Sequence, residues 1–310
     1  NFYILQSVFI LERAKYSIFI ASILFLLIAV KIAEGKIKPL LGAILTSLVL
    51  LFFNSGSWLG IPLYGGFILI AISLAISELL WGIKEKNFLI FKRIISFFIL
   101  TTIGFLILNA YSILPYFSTL KNQDYTSLVS SSVISQNKEW LRALSQASSF
   151  LNFFRLEGVP DWYSGPYEVN PAHSFADIYL SNKYLIVVSF LFPLISFSSF
   201  LLAKTRQQKK LISIFGLSVL LGMFFMAGSH GPLGLLYELI FDYVPGFAIF
   251  RSPYFKFGSA FYIGTSGMMA FAISSLIERF ESRLKVKNIF AGFIVSFLVV
   301  ASWLFYHRVI

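Results

Sequence analysis

Between Val244 and Gly258 the sequence reads VPGFAIFRSPYFKFG. Arg251 and Lys256 stand there among aromatics, in a stretch interrupted by Pro245, Gly246 and Pro253. The segment is too apolar for a free loop and too broken for a spanning helix. Irregular backbone at membrane depth survives only where it is packed in protein or lines a watery cavity. A cavity carrying these two cations suits an anion attached to a lipid. Arg251 can hold a phosphate through two parallel hydrogen bonds, and Lys256 adds a point charge. A helix starting near Lys256 would add the positive potential of its first N–H groups. Two simpler roles fit the same residues: contact with lipid headgroups, or pairing with Glu238 and Asp242 on the short helix expected over Leu235–Tyr243.

Further candidates for touching a substrate lie nearby in the chain. His230 sits in the turn Gly228–Pro232, and Tyr254 lies between the two cations. Residues 138–156, KEWLRALSQASSFLNFFRL, have a helical period. Trp140, Leu144, Ala147, Leu151 and Phe154 fall on one face, with Lys138, Arg142 and Arg155 opposite. This pattern predicts a helix lying on the membrane surface, or one packed on the protein's own loop. Beyond it, Asp161-Trp162-Tyr163 combines a carboxylate with aromatic faces, as sugar sites do; a capped turn with an interfacial Trp162 is the plainer alternative.

The elements that must position these residues follow from composition. The 310 residues are 57% hydrophobic and 18% aromatic but only 13% charged, with a mean hydropathy of +0.80. That is more apolar surface than a water-soluble fold of this length can bury. The expected fold is all-α, a polytopic transmembrane bundle. Eight runs reach or approach the ~20 residues needed to cross a bilayer: 17–34, 37–53, 61–82, 94–114, 184–203, 210–228, 258–277 and 288–306. Alternate links are rich in Lys and Arg: 35–38, 83–93, 204–210 and 278–287. The positive-inside rule places these in the cytoplasm. The connections 115–183, with its expected interfacial helix, and 229–257, re-entrant in character, then lie outside. The chain divides accordingly into four spans (1–114), a loop domain (115–183) and four more spans (184–310).

The net charge of +11 is explained by these links, so nucleic acid is not the expected partner. Cysteine is absent, which excludes disulfides and thiolate chemistry. Three histidines offer little for a metal site, and no cofactor is expected in this chain. The spans hold almost no charge beyond Lys31 and Glu78, both near span ends where snorkelling would suffice. The chain begins with Asn1 and stops just after an apolar run, and it reads as a piece of a longer protein.

In Pro245-Gly246-Phe247, Phe250-Arg251, Pro253 and Lys256-Phe257 the sequence resembles YfhO-like membrane proteins and the N-terminal membrane region of mycobacterial-type arabinofuranosyltransferases, both of the GT-C glycosyltransferase class. NAYSILPYF (109–117) and ASSFLNFFRLEGVPDWY (147–163), earlier in the chain, also fall in the expected order. The resemblance implies transfer of a sugar from a polyprenyl-phosphate donor to a glycan, lipid or protein acceptor outside the plasma membrane. It implies that Arg251 and Lys256 hold the leaving phosphate, and that the catalytic carboxylate lies in a first outer loop, expected upstream of Asn1. A divalent metal is used by some members. A flippase of lipid-linked saccharides and a non-catalytic assembly subunit are the alternatives in other classes.

Overall fold

The structure, a computed structural model, describes residues 13–53, 64–111, 131–155, 158, 180–244 and 247–281. Among them every regular element is helical and no strand occurs. The helices are α1 (Arg13–Ala33), α2 (Pro39–Phe53), α3 (Tyr64–Glu85), α4 (Leu89–Leu108), α5 (Ser131–Ser145), α6 (Phe150–Phe154), α7 (Lys183–Ser189), α8 (Leu191–Leu202), α9 (Arg206–Ala227), α10 (Gly234–Tyr243) and α11 (Pro253–Glu281). A 3-10 turn, Phe247–Phe250, joins α10 to α11.

Five helical stretches are long and apolar enough to cross a membrane: α3, α4, α7 and α8 taken together, α9, and α11. The expected spans 17–34 and 37–53 coincide with α1 and α2, whose apolar lengths of 17 and 15 residues fall below that mark. The expected span 288–306 lies outside the described residues.

Local chemistry sets the helix ends. Thr205 and Gln208 form a capping box at the start of α9: the Thr205 hydroxyl accepts from Gln208 N–H, and Gln208 Oε1 accepts from Thr205 N–H. Asn182 caps α7 through its side-chain oxygen. Pro253 opens α11, where its missing N–H costs nothing. Gly228 ends α9 with φ +59° and ψ −128°, a conformation that favours glycine strongly.

The bundle is centred on α11, which packs on α9, α8 and α3, while α2 lies between α1 and α4. In lipid, helix association rests on close packing rather than on escape from water, so small residues mark the contacts. A Cβ on Gly222 of α9 would stand 2.6 Å from the Phe261 backbone nitrogen of α11, and one on Gly264 would stand 2.7 Å from the Phe215 carbonyl. These backbones run nearly in contact.

The links 34–38, 86–88 and 203–205, with the basic residues that flank them, converge on one end of the bundle. Gln207 bonds Glu34, Arg206 pairs with Glu85, and Gly35 lies against the Arg93 guanidinium. The segment 228–253 lies at the opposite end, one full length of α9 away. Glu78 requires a correction to the snorkelling expected of it. Its side chain is 2% exposed, and its carboxylate is paired with Lys210 of α9 at 2.5 Å. The pair joins two helices inside the bundle instead of reaching out of it.

Candidate functional site

The fold of the 228–253 segment begins with its aromatics. Tyr237 of α10 is fully buried and donates its hydroxyl to the Phe250 carbonyl at 2.9 Å. Burial pushes its phenol well above the usual range, which keeps it a donor. Around that bond, rings of Phe225, Tyr237, Phe247, Phe250 and Phe257 pack with neighbouring centroids 4.9–6.5 Å apart. This cluster turns the chain back from α10 and delivers Arg251 to the head of α11. The helix expected over Leu235–Tyr243 is α10, one residue longer at its start.

A second element crosses the same segment. Helix α5 meets it at five places. Asn137 Oδ1 accepts from Arg251 Nη1 at 2.5 Å, and Trp140 Nε1 donates to Ser252 Oγ at 3.4 Å. Lys138 pairs with Asp242 at 2.6 Å and with Glu238 at 3.5 Å. Arg142 holds Glu238 bidentately at 2.9 and 2.8 Å. Ser145 Oγ accepts from Ser229 N–H at 3.2 Å. The close fit at the last place depends on Gly228, where a Cβ would collide with Ser145 and Pro253.

The carboxylate of Glu238 is held below its ordinary value, first by the hydrogen bond from Arg142 and then, against its partial burial, by the charges of Arg142 and Lys138. Lys138 is raised chiefly by its hydrogen bond to Asp242, and Arg142 by its hydrogen bond to Glu238. The network thus joins two basic side chains of α5 to two carboxyl groups of α10.

This arrangement revises the helix expected over 138–156. The chain forms two helices, broken at Gln146–Ser149, with Ser149 capping the second through Asn152 N–H. The inward stripe of α5 is also rotated from the expected one. Leu141 and Ser145 are buried, whereas Trp140 is 41% exposed. The basic side meets the carboxylates of α10. Of the roles open to Glu238 and Asp242, pairing with Arg251 and Lys256 is replaced by pairing with Lys138 and Arg142.

The individual candidates separate as follows. Arg251 is exposed; Asn137 is its neutral partner, and among the described residues no carboxylate pairs with it. Lys256 is half-buried in the first turn of α11, with its carbonyl beside Gly65 of α3. Tyr254, expected as a possible substrate contact, packs inside the bundle in this structure. It is 1% exposed, its hydroxyl shares a hydrogen bond with Tyr262 at 2.5 Å, and its ring lies against Phe153. Arg155 ties the end of α6 to α7, donating to Ser189 Oγ at 3.1 Å with its guanidinium 5.9 Å over the Phe190 ring. His230 lines a shallow cleft of about 320 Å3 with Arg142, Gln146, Ser229 and Glu238. Asp161 and Trp162 lie outside the described residues. Among the described residues no three His, Asp or Glu side chains converge as a metal site would need.

Sequence reasoning missed Asn137, Lys138 and Arg142 as partners of this segment. A signal was present: Lys138 and Arg142 are four residues apart, as are Glu238 and Asp242, so each pair occupies one helical face with opposite charge. Comparison of the chain with protein-family models, with curated proteins and with solved structures gives no match.

Proposed function

We propose that this chain is the membrane part of a glycosyltransferase that moves a sugar from a polyprenyl-phosphate carrier, with Arg251 binding the carrier's phosphate. The observation that carries the reading is the electrostatic state of Arg251. Lys138 and Arg142, its neighbours on α5, are neutralised by carboxylates, whereas Arg251 is exposed and held by the amide of Asn137. A guanidinium oriented by a neutral partner keeps its full charge for a ligand and is aimed before the ligand arrives. It stands two residues before α11, whose first N–H groups add positive potential.

On this reading about eight spans cross the plasma membrane, the basic links face the cytoplasm, and the α5–α10 end faces outward. As the glycosidic C–O bond of the donor breaks, negative charge grows on the leaving phosphate. Arg251 stabilises that charge with two N–H donors, and Lys256 supports it from the first turn of α11. The acceptor, whether glycan, lipid or protein, approaches from the outer side.

The test is transfer by the full-length protein from a polyprenyl-phosphate sugar donor to its acceptor. Arg251→Ala is expected to lower turnover about 10²–10³-fold, the usual cost of one lost charge-stabilising donor. Arg251→Lys should recover only part of it, because an ammonium cannot form the paired bonds. Wild-type turnover in Arg251→Ala protein of normal thermal stability would refute the assignment.

A further inference from the structure

The cleft beside His230 differs chemically from the Arg251 site, although the same helix borders both. Its charged members, Arg142 and Glu238, are joined bidentately and cancel. Around that pair stand Gln146, Ser229 and His230. Among the described residues, the Gln146 amide and the His230 imidazole make no side-chain hydrogen bond, and neither is fully buried. The cleft thus offers an amide donor and acceptor, a ring donor and acceptor, and the outer edges of a fixed Arg–Glu pair.

We infer that this cleft binds the neutral, hydroxyl-bearing ring of a saccharide. An anion would be opposed by Glu238 and a cation by Arg142, whereas vicinal hydroxyls can donate to the carboxylate and accept from the guanidinium at once. The volume of about 320 Å3 is at the small end of ligand sites and fits one or two sugar rings. Position agrees with composition. Arg142 and Ser145 follow Asn137 by five and eight residues on α5, which at ~1.5 Å per residue is about 8–12 Å along the helix. A sugar in the cleft therefore lies within reach of a phosphate on Arg251. The assignment of the cleft to neutral sugar stands on its own lining; its place in a transfer reaction rests on the function proposed above.

The test uses the full chain in lipid nanodiscs and saturation-transfer difference NMR with the methyl glycosides of glucose, galactose, mannose, arabinose and N-acetylglucosamine. At least one glycoside is expected to show transfer. The signal should fall at least about fivefold in the Gln146→Ala/His230→Ala double variant, which alters two non-core side chains, with thermal unfolding confirming that the variant is folded. It should persist in Arg251→Ala and in the presence of inorganic phosphate. No signal from any glycoside, a signal unchanged in the folded double variant, or a signal displaced by phosphate would each overturn the inference. Persistence of the glycoside signal in Arg251→Ala, together with undiminished sugar transfer by that variant, sinks the phosphate assignment and leaves the saccharide cleft supported.

Discussion

Replacing Lys210 by methionine tests how the bundle uses its internal charges. Lys210 and Glu78 meet at 2.5 Å, with side-chain exposures of 19% and 2%. The methionine keeps most of the lysine stem, so the change removes a charge with little change in volume. What remains is a carboxylate between α3 and α9. The nearby donors are committed elsewhere: Ser77 and Ser213 share a hydrogen bond, Ser213 is also bonded to the Lys210 carbonyl, and Trp81 donates to Ser213. Removing one partner of a buried pair costs about 3–5 kcal/mol, and with no spare donor among the described residues nearby the expectation is about 3–4, the partial exposure of Lys210 trimming the top. The reverse change is milder. In Glu78→Gln the lysine can extend toward the nearby basic end, so about 1–2 kcal/mol is expected. The double variant loses less than the sum, with a coupling energy of about 2–3 kcal/mol. Reversible unfolding in mixed detergent–SDS micelles, followed by far-UV circular dichroism, measures all four corners of the cycle. A Lys210→Met cost below about 0.5 kcal/mol, the worth of a surface pair, would refute the buried-pair reasoning.

Two further outcomes follow from geometry. Gly222→Ala forces a methyl against the Phe261 backbone at 2.6 and 2.9 Å, where nothing can rotate away, so it should cost at least about 2–3 kcal/mol in the same unfolding assay; Gly104→Ala, which meets the Ser47 side chain, should cost clearly less, and equal costs would contradict the close-backbone account. The docking of α5 should depend on pH in one direction over the accessible range: the lowered Glu238 value makes its contribution present above the ordinary 4.5 and lost as pH falls through the folded value, while the raised Lys138 value preserves its contribution until pH rises past 10.5. Spin labels on cysteines placed at Glu139 and Leu235, exposed positions in a chain without native cysteine, should therefore report one narrow distance from about pH 6 to 9 and a broadened one below about pH 4. A distribution unchanged at about pH 3 would show that the ion network does not hold the helix.

The spanning helices were legible because lipid imposes a length and a composition, and both are local properties. The runs 61–82, 94–114, 184–203, 210–228 and 258–277 all reappear, displaced by several residues at their ends. The ends move because helices continue past the apolar core until a cap stops them, as α11 does by starting at Pro253 rather than Gly258. The candidate site was harder to read. Trp140 and Leu144 form the more hydrophobic stripe of α5, yet Leu141 and Ser145 face inward. Serine carries no hydrophobic signal, and its value there is smallness: it admits the Gly228 turn at close range and accepts from Ser229 N–H. The burial of Tyr254 escapes the sequence for a related reason. An aromatic next to two cations looks like a ligand contact, and only the third dimension supplies Tyr262, whose hydroxyl satisfies it inside the bundle.

The two ends of the bundle treat positive charge differently, and this sharpens the case for Arg251. At the end where the basic links meet, Glu34, Glu78 and Glu85 each take a cation, and Lys84 lies 4.8 Å over the Trp81 ring. Those partners fasten α3 to α9 and close the link after α1. At the other end Glu238 and Asp242 could have served Arg251, which follows them by only nine to thirteen residues. Instead they are taken up by Lys138 and Arg142, from about a hundred residues away. The effect is to use the carboxylates for holding α5 down while the guanidinium at the head of α11 keeps its charge. If α5 served only as a cover, any complementary pairing would do. Its contribution of a neutral amide at Asn137, in line with cations that quench the local anions, leaves a net positive site at Arg251. Reversing that balance with Asn137→Asp would place a carboxylate on the guanidinium and should weaken anion binding there while leaving the α5–α10 pairs intact.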